Sequence, residues 1–427
     1  MKFHSTRDVD EEATVSEAIH RGLAPDGGLY VPETLPDLGI DAFEGATSRV
    51  EIANRLLAPF FEGDELEGEL DGICRDTCGF ETPLRDIGSA TSVLELFHGP
   101  TAAFKDVGAA FLASSLEKLE AGSEQPLTIL VATSGDTGAA VAAAFDGRAG
   151  CEVVVLFPDG RVSERQKKLL TCWGDNVTSL SVDGDFDDCQ RVVKEAFADD
   201  WWRQNKRLSS ANSINVGRLL PQMTYYAQSS LAIWRETKEA PDFVVPTGNA
   251  GNVLGCLYVR EMGLPVGDVV LATNENRPVT HYLETGTWKS FETRKTLATA
   301  MDVGDPSNFE RVLYHWPEPD ELRSMISAMA VTDEEIRQTI RSGPDDWGEI
   351  WDPHTACAVA ARSRIDSGRA VVVATAHPAK FPDVVEPLVE RRVPMPAQMA
   401  EMIERPKSVA DIEPTLEALT ATLTSPA

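Results

Sequence analysis

The sequence predicts an α/β protein whose strands form mostly parallel sheets. From about residue 90 onward, short apolar runs rich in β-branched residues alternate with stretches of helical pattern, an alternation typical of such layers. The runs lie at residues 127–132, 153–157, 243–245, 269–272 and 370–374. A chain of 427 residues also exceeds the ~250–300 residues at which a single core stops growing, so we expect more than one domain.

Helix signals lie between and after these runs. Thr332 followed by Glu335 has the spacing of a capping box, which predicts a helix from there to about residue 341. A second helix is expected to begin near His354 and to stop at Gly368, because glycine commonly ends a helix.

The two ends of the chain have a different pattern. A helix is predicted over residues 14–21, followed by a turn at Gly27 and Gly28 and a proline-punctuated segment at 31–36. The first ninety residues therefore form a separate N-terminal unit in our interpretation. The tail after Pro394 is acidic and helix-prone, and the sequence assigns it no role.

The charge of the chain excludes one class of partner. Its 39 basic and 68 acidic residues give a net charge of -29, which would repel nucleic acid. So large an excess of acidic residues on a solvated surface suggests a halophilic protein from an acidic proteome. Counterions at high salt would screen the repulsion between these negative charges.

Composition also bears on location. The seven cysteines are odd in number and never spaced as C-x-x-C, so reduced thiols are expected. No segment approaches the ~20 apolar residues that cross a bilayer, and the acidic N-terminus lacks the apolar core of a signal peptide. We therefore expect a soluble cytoplasmic protein with no membrane partner.

Lys105 is the first candidate for chemistry. It stands at a predicted helix start, after a run of aromatic and small residues that begins at Glu95. A lysine held in surroundings of low dielectric has a lowered pKa and can act as an imine nucleophile. The residues alone leave an ordinary surface lysine as the alternative.

Two glycine loops predict anion sites. The run 127–132 leads into residues 133–138 and then a small-residue helix, and a second strand leads into residues 246–252 and a helix from Val253. Backbone N–H groups at such helix starts point at a bound anion, and glycine lets the chain curl around it. The second loop is not a Walker sequence, because no lysine follows its last glycine in the required place. Ordinary turns without a ligand remain the alternative for both.

Other polar residues are open to two interpretations. Thr375 follows the run 370–374, at the strand end where α/β sites collect, or it satisfies a turn. Arg218 could grip a phosphate in bidentate fashion or form a surface salt bridge. The basic segment 160–168 singles out no residue. His98 is expected to make a structural hydrogen bond rather than to move protons, and no pattern supports a metal site or a Ser-His-Asp triad.

Together these segments resemble the threonine synthase family. The likeness includes the run from His98 to Asp106 around the lysine, both glycine loops, and the segment 375–381. It continues in order from residues 27–32 to residues 378–381, and several motifs in register are far more specific than any one of them.

The resemblance implies a fold and a cofactor. The fold is the tryptophan-synthase-β-like type, with an N-terminal unit (1–92), a smaller α/β domain (93–225) and a larger one (226–427) around a cleft. The cofactor is pyridoxal 5'-phosphate (PLP), which Lys105 would bind covalently before it shuttles protons. Asp136 would lie near the 3-hydroxyl of PLP, where relatives often have asparagine, and Thr375 would bond the pyridine nitrogen.

The resemblance also assigns residues to the cofactor phosphate and to the substrate. The loop for the cofactor phosphate comprises Gly248, Asn249, Ala250, Gly251 and Asn252. The substrate-binding residues are Thr133, Ser134, Gly135, Thr137, Asn212, Ser213 and Arg218.

The implied reaction converts O-phospho-L-homoserine and water into L-threonine and phosphate. A related enzyme could eliminate phosphate from the same substrate without adding water, giving 2-oxobutyrate and ammonia, and the sequence does not separate the two. A catalytically silent PLP-binding homologue is a third reading, against which the intact Lys105, Thr375 and glycine loops argue.

Overall fold

The structure is a computed structural model that describes residues 1–160, 162–365 and 368–424. Its strands are β1 (Phe3–Ser5), β2 (Glu12–Ala13), β3 (Tyr30–Pro32), β4 (Leu84–Asp86), β5 (Thr91–Glu95), β6 (Leu127–Ala132), β7 (Cys151–Pro158), β8 (Val177–Val182), β9 (Arg207–Ser210), β10 (Asp242–Pro246), β11 (Val269–Thr273), β12 (Ile326–Ala330), β13 (Ala370–Ala374) and β14 (Ala410–Ile412).

The α-helices are α1 (Val15–Arg21), α2 (Arg49–Phe61), α3 (Leu70–Thr77), α4 (Lys105–Leu119), α5 (Asp136–Phe145), α6 (Glu164–Thr171), α7 (Phe186–Ala198), α8 (Asp200–Asn205), α9 (Val216–Leu219), α10 (Met223–Thr237), α11 (Gly251–Glu261), α12 (Pro278–Thr285), α13 (Phe309–His315), α14 (Pro319–Met325), α15 (Asp333–Asp346), α16 (Pro353–Arg362), α17 (Pro382–Val389), α18 (Ala397–Glu404) and α19 (Leu416–Thr424). Short 3-10 helices lie at Asp41–Phe43, Glu67–Glu69, Leu220–Gln222, Thr299–Met301 and Pro378–Lys380.

The strands form three sheets. A small antiparallel sheet at the N-terminus has the order β2-β1-β3, a six-stranded sheet has the order β12-β11-β10-β13-β5-β4, and a five-stranded sheet has the order β14-β8-β7-β6-β9. All neighbours in the five-stranded sheet are parallel, and in the six-stranded sheet only β4 runs antiparallel to its neighbour. The expected α/β fold with mostly parallel sheets is confirmed.

The central strands are buried on both faces. Every residue of β6, β11 and β13 is buried, as expected where helices cover both sides of a parallel sheet. Their β-branched and aliphatic side chains suit the pleated surface and enter a core that continues into the N-terminal unit. A second, smaller cluster surrounds Trp202 and includes Ile412 and Leu419 from the C-terminal tail.

The predicted elements correspond to observed ones, with one correction. All five predicted strands are present, and β13 begins and ends where expected. Thr332 and Glu335 form the capping box of α15, which continues to Asp346. The helix expected from His354 to Gly368 was wrong in extent, since α16 begins at Pro353 and ends at Arg362. The Arg362 side chain bonds the carbonyl of Ile365, so it satisfies a backbone group just past the helix end.

The sheets cross the boundaries expected between the units. β5 at residues 91–95 pairs with β13, although the boundary was placed at residue 92. β14, in the C-terminal tail, pairs with β8 of the five-stranded sheet. The chain therefore passes between the two large sheets more than once. Several segments of the chain connect the two sheets across the cleft between them.

Two points from the sequence remain, the question of a membrane-spanning segment and the basic segment 160–168. None of the described helices combines the length and apolar character needed to cross a membrane. Arg161, in the basic segment 160–168, lies outside the described residues.

Candidate active site

Lys105 is the first residue of α4, and the turn before it is held in place on both sides. Phe104 donates its N–H to the carbonyl of Thr375 at 2.9 Å, which ties this turn to the end of β13. The carboxylate of Asp106 accepts bonds from the backbone N–H and the hydroxyl of Thr101. These bonds fix the direction in which the lysine leaves the helix start.

The side chain of Lys105 is largely buried, with 16% of it exposed. Burial lowers its pKa to about 8, because the charged form loses its water. The Nζ atom lies 4.0 Å from Oδ2 of Asp136, whose charge pulls the pKa back upward. An amine with this pKa is partly neutral near neutral pH, and the neutral form is the one that attacks carbonyl groups and accepts protons.

Asp136 opens α5 and is buried between two lysines. Its Oδ1 atom lies 2.8 Å from Nζ of Lys380 and accepts a bond from the Gln166 side chain at 3.3 Å. Burial alone would raise the pKa of Asp136, but the charges of Lys380 and Lys105 outweigh burial and hold it well below its usual range. The group is therefore a carboxylate at any physiological pH.

The conformation of the loop before α5 is fixed by hydrogen bonds among its own residues and the first turn of the helix. The hydroxyl of Thr133 accepts the backbone N–H groups of Gly135 and Gly138, at 3.0 and 2.9 Å. Gly135 has a φ of +143°, which favours glycine, and a side chain there would meet Gln166 at 2.8 Å. Ser134 is exposed at the tip. Thr133 and Gly135 thus shape the loop, and the N-cap residue of α5, Gly135, has no side chain with which to cap the helix.

The second glycine loop forms a cradle at the start of α11. Ala250 takes a left-handed conformation with a φ of +61°, and no side chain caps the first turn of the helix. Gly248 lies so close to the neighbouring segment that a Cβ atom would be 2.8 Å from the Cα atom of Met301. The free helix start, with its dipole, is suited to a phosphate-sized anion.

The two asparagines of this loop are anchored differently, Asn249 through both ends of its amide and Asn252 through one. Asn249 donates to the hydroxyl of Ser213 at 2.5 Å and accepts from the N–H of Ser307. Asn252 accepts from the hydroxyl of Tyr226 at 2.7 Å, while its amide nitrogen is buried with no partner in the described part of the chain. A buried donor without an acceptor indicates a site for a bound acceptor group.

Arg218 lies at the edge of the same space. It is 2% exposed, and Nη1 donates to the carbonyl of Ala211 at 2.6 Å. Its Nε atom is buried and has no partner among the described residues. Burial lowers the pKa of Arg218 to about 10, which leaves the guanidinium charged at neutral pH. Of the two alternatives for Arg218, the surface salt bridge is not found among the described residues, because the side chain is buried.

Thr375 directly follows β13, and its hydroxyl makes no hydrogen bond within the residues that the structure describes. The backbone is occupied instead: its N–H donates to the hydroxyl of Thr355 at 3.3 Å, and its carbonyl accepts from Phe104. The hydroxyl therefore remains available to a bound molecule.

These residues meet at one cavity of about 120 Å³. Its lining includes Phe104, Lys105, Asp136, Thr137, Ser213, Arg218, Gln222, Pro246, Thr247, Gly248, Asn249, Ala250, Gly251, Asn252, Val253, Ala300, Met301, His354, Thr375 and Ala376. Of the sequence-predicted site residues, Thr133, Ser134, Gly135 and Asn212 are not in this lining. The ends of β5, β6, β10 and β13 supply most of the wall, as in other α/β sites.

A larger hollow of about 610 Å³ lies elsewhere, lined in part by Thr128, Arg148 and Thr178. It opens at the amino ends of β6, β7 and β8, so it is on the edge of the sheet opposite to the loop that carries Asp136. The smaller cavity holds the reactive groups, and we place the active site there.

Two contributors to this site, Lys380 and Gln166, received no role from the sequence, and His354 was only a weak candidate for proton transfer. Nε2 of His354 accepts the N–H of Ala300 at 3.0 Å, and Nδ1 lies 2.7 Å from the carboxylate of Asp352. This histidine holds the cavity wall. The Asp-Pro pair before it is a helix-start signal, but no local pattern could have placed Lys380 beside a residue so far away in the chain.

The other histidine and basic candidates have structural partners. Nε2 of His98 lies 2.6 Å from the carboxylate of Glu95, which agrees with the expected structural hydrogen bond. Lys167 pairs with Asp159 at 2.6 Å, and Arg165 donates to the carbonyl of Ala379. No cluster of His, Cys, Asp or Glu suited to a metal ion is found in the described part of the chain.

The whole chain is similar to proteins of known activity. Residues 81–376 match the family described as pyridoxal-phosphate dependent enzyme, and residues 2–78 and 355–423 match the N-terminal and C-terminal threonine synthase families. The threonine synthase of Escherichia coli (strain K12) is 37% identical over 418 residues, covering 95% of each chain. The protein of the same name from Serratia marcescens is 37% identical over 417 residues, again covering 95% of each chain.

Solved structures show the same likeness. The crystal structure of threonine synthase from Escherichia coli matches with a TM-score of 0.90 and 36% identity, covering 99% of each chain. The PLP-bound threonine synthase from Brucella melitensis matches with a TM-score of 0.92 and 36% identity, covering 99% of this chain and 98% of that one. The similarity extends over the full length of these relatives, in sequence and in fold.

Proposed function

The chain belongs to the threonine synthase family of PLP-dependent lyases, and on this premise we propose that it converts O-phospho-L-homoserine and water into L-threonine and phosphate. The observation that carries the proposal is the buried, pKa-lowered amine of Lys105 in one cavity with an uncapped helix start. This pairing of an amine with a phosphate cradle suits a phosphorylated aldehyde.

PLP is the cofactor of this family, and the residues of the cavity fit it. We propose that Lys105 binds its aldehyde carbon and that residues 248–252 hold its phosphate. The unpartnered amide nitrogen of Asn252 and the narrow approach at Gly248 support this placement. When bound, the cofactor supplies a conjugated ring that accepts the negative charge developing on the substrate.

Two polar side chains would adjust the chemistry of that ring. We propose that the free hydroxyl of Thr375 bonds the pyridine nitrogen. A hydroxyl, unlike a carboxylate, leaves this nitrogen largely unprotonated and so weakens the ring as an electron sink. Asp136 would face the 3-hydroxyl, and because it is a carboxylate it can only accept a hydrogen bond there.

Lys105 would then move the protons of the reaction. Its neutral amine takes the α-proton of the substrate, and loss of a β-proton accompanies departure of the γ-phosphate. Water adds its hydroxyl group at the β-carbon, and protons return to the neighbouring carbons to give threonine. One water is consumed and one phosphate is released, so the atoms balance.

The substrate would be held at two places. The start of α5, where residues 133–137 lead into the helix through a glycine N-cap, is the proposed site for the substrate carboxylate. Arg218, Ser213 and Asn212 are the proposed contacts of the substrate phosphate. The buried guanidinium of Arg218 with its unpartnered Nε, a donor, supports this assignment.

The product analysis tests the proposal directly. Incubation with O-phospho-L-homoserine and PLP should give threonine and phosphate in equal amounts and no 2-oxobutyrate, with all three measured in one reaction. 2-Oxobutyrate in place of threonine would make the protein a phospho-lyase. Absence of phosphate would show that the substrate is wrong, and absence of both product and a visible absorbance band would indicate a silent homologue.

We also propose adaptation to high salt, on the basis of the net charge of -29. Long dialysis from molar salt into a low-salt buffer should lower both the melting temperature and the activity, because the Debye length grows from ~3 Å at 1 M to ~30 Å at 0.01 M and the acidic surface is no longer screened. Activity should recover when salt is restored. Full activity and an unchanged melting temperature at low salt would contradict this proposal.

A cytoplasmic location is the last part of the proposal. All seven cysteines are free, and six of them are buried. Burial raises the pKa of Cys256 and Cys357, which keeps these thiols protonated and unreactive. Free thiols are typical of proteins in reducing compartments.

A further inference from the structure

We propose that Lys380 is a positioning residue for the reaction: its buried ammonium group holds the Asp136 carboxylate in its charged form and draws it away from the amine of Lys105. This inference rests on the proposed role of Lys105 as the cofactor lysine. It adds a second lysine that never touches the substrate.

The two lysines differ in their distance from Asp136 and in their position relative to the cavity. Nζ of Lys380 lies 2.8 Å from Oδ1 of Asp136, whereas Nζ of Lys105 lies 4.0 Å from Oδ2. Lys380 is 0% exposed and does not line the cavity, so it stands behind Asp136. At low dielectric an ion pair at this distance is much stronger than at the surface, and the loss of one partner leaves a costly buried charge.

The pair is held in place from a separate helix. The guanidinium of Arg165, in α6, donates to the carbonyl of Ala379, in the short 3-10 helix that ends with Lys380. The next residue of α6, Gln166, donates to Oδ1 of Asp136 at 3.3 Å. Two successive side chains therefore fix both partners of the ion pair, which suits a group whose position matters.

The charges around Lys105 explain why the pair affects its reactivity. Burial lowers the pKa of this amine to about 8, and Asp136 and Asp106 raise it while Lys380 and Arg218 lower it. Without Lys380, the full charge of Asp136 would act on Lys105 alone and would favour the ammonium form. That form can neither attack a carbonyl group nor accept a proton.

His354 also faces Asp136, and its contacts fix its orientation. A backbone N–H can only donate, so the bond from Ala300 requires that Nε2 of His354 carries no proton. The proton of the ring then lies on Nδ1, 2.7 Å from the carboxylate of Asp352. Both ring nitrogens of His354 are thus engaged by groups outside the lysine pair.

The test measures cofactor uptake rather than turnover. Full-length apoenzyme is mixed with saturating PLP, and the rate at which the visible absorbance band appears is recorded against pH. The wild-type rate should rise with a midpoint near pH 8, where the Lys105 amine loses its proton. Lys380→Met should move the midpoint upward by about 1 pH unit and Asp136→Asn should move it downward, since each removes an opposite charge.

The double variant Lys380→Met/Asp136→Asn gives the decisive comparison. It leaves no unpaired buried charge, so it should fold and return the midpoint close to the wild-type value. Lys380→Arg, which retains the charge, should also keep the wild-type midpoint. A purely structural role for Lys380 would produce neither the opposite shifts of the single variants nor their cancellation.

Lys118→Met is the matched control. This lysine lies in the last turn of α4, pairs with Glu69 at 3.1 Å at the surface, and should leave the midpoint unchanged. An unchanged or lowered midpoint in folded Lys380→Met would overturn the inference. If that variant does not fold, a shifted midpoint in the double variant overturns it equally. A visible band that survives in Lys105→Ala would instead withdraw the role of Lys105.

Discussion

Replacing Lys105 with alanine should lower the rate of threonine formation by about 10⁴-fold and abolish the visible absorbance of the bound cofactor. The variant loses the group proposed both to attach PLP and to move protons. The fold should persist, because Asp136 keeps its closer partner Lys380 and the removed amine was itself buried at a cost in free energy. Steady-state kinetics and an absorbance spectrum of the purified variant measure both effects.

The control for this variant is Lys118→Ala. Lys118 is on the same helix but half exposed and distant from the cavity, so its loss should change neither spectrum nor rate. Another lysine near the cavity could instead be the one that binds the cofactor. Lys380 is a second lysine beside Asp136 in the described chain, and it is fully buried. If the band survives in Lys105→Ala and disappears in Lys380→Met, the cofactor lysine has been misassigned.

Gly248→Ala should weaken PLP binding about tenfold or more and lower the free energy of unfolding by about 1 to 3 kcal/mol. The added Cβ atom would lie 2.8 Å from the Cα atom of Met301 and 3.2 Å from the carbonyl oxygen of Ala300. Both neighbours are backbone, so the loop must move away from the 3-10 helix Thr299–Met301, and its N–H groups would move with it. Titration of the apoenzyme with PLP and thermal unfolding give the two quantities.

Gly174→Ala is the matched control for this substitution. No atom lies within 4 Å of a Cβ added at Gly174, and its backbone does not need a positive φ. This variant should bind PLP and melt like the wild type. A Gly248→Ala protein with unchanged affinity would show that residues 248–252 do not hold the cofactor phosphate.

The sequence could predict the parts of the fold that depend on short-range signals. β13 is bounded by polar residues and composed almost wholly of valine and alanine, so its limits were visible in the sequence. The capping box at Thr332 was equally local. The end of α16 was misplaced because Arg362 bonds Thr91 and Ile365, and a tertiary contact of that kind has no sequence signature. The tail strand β14 was missed because its three residues depend on pairing with β8.

The site shows the same division between local and distant information. Lys105, Thr375 and the loop 248–252 each occupy a strand end or helix start, where the topology of a parallel sheet brings them together. The resemblance to a known family supplied the rest of the assignment. It could not supply the ion pair of Asp136 and Lys380, since that contact joins two segments far apart in the sequence.

The crossings between the sheets have a consequence for the synthesis of this protein. The strands β9, β6, β7 and β8 can pair once the first half of the chain exists, yet β8 remains an unpaired edge until residues 410–412 emerge. Likewise, β5 can pair with β13 only after residues 370–374 have been translated. Such distant pairings slow folding, and open strand edges invite association with other chains. The newborn protein therefore completes both large sheets only after residues 410–412 have been translated.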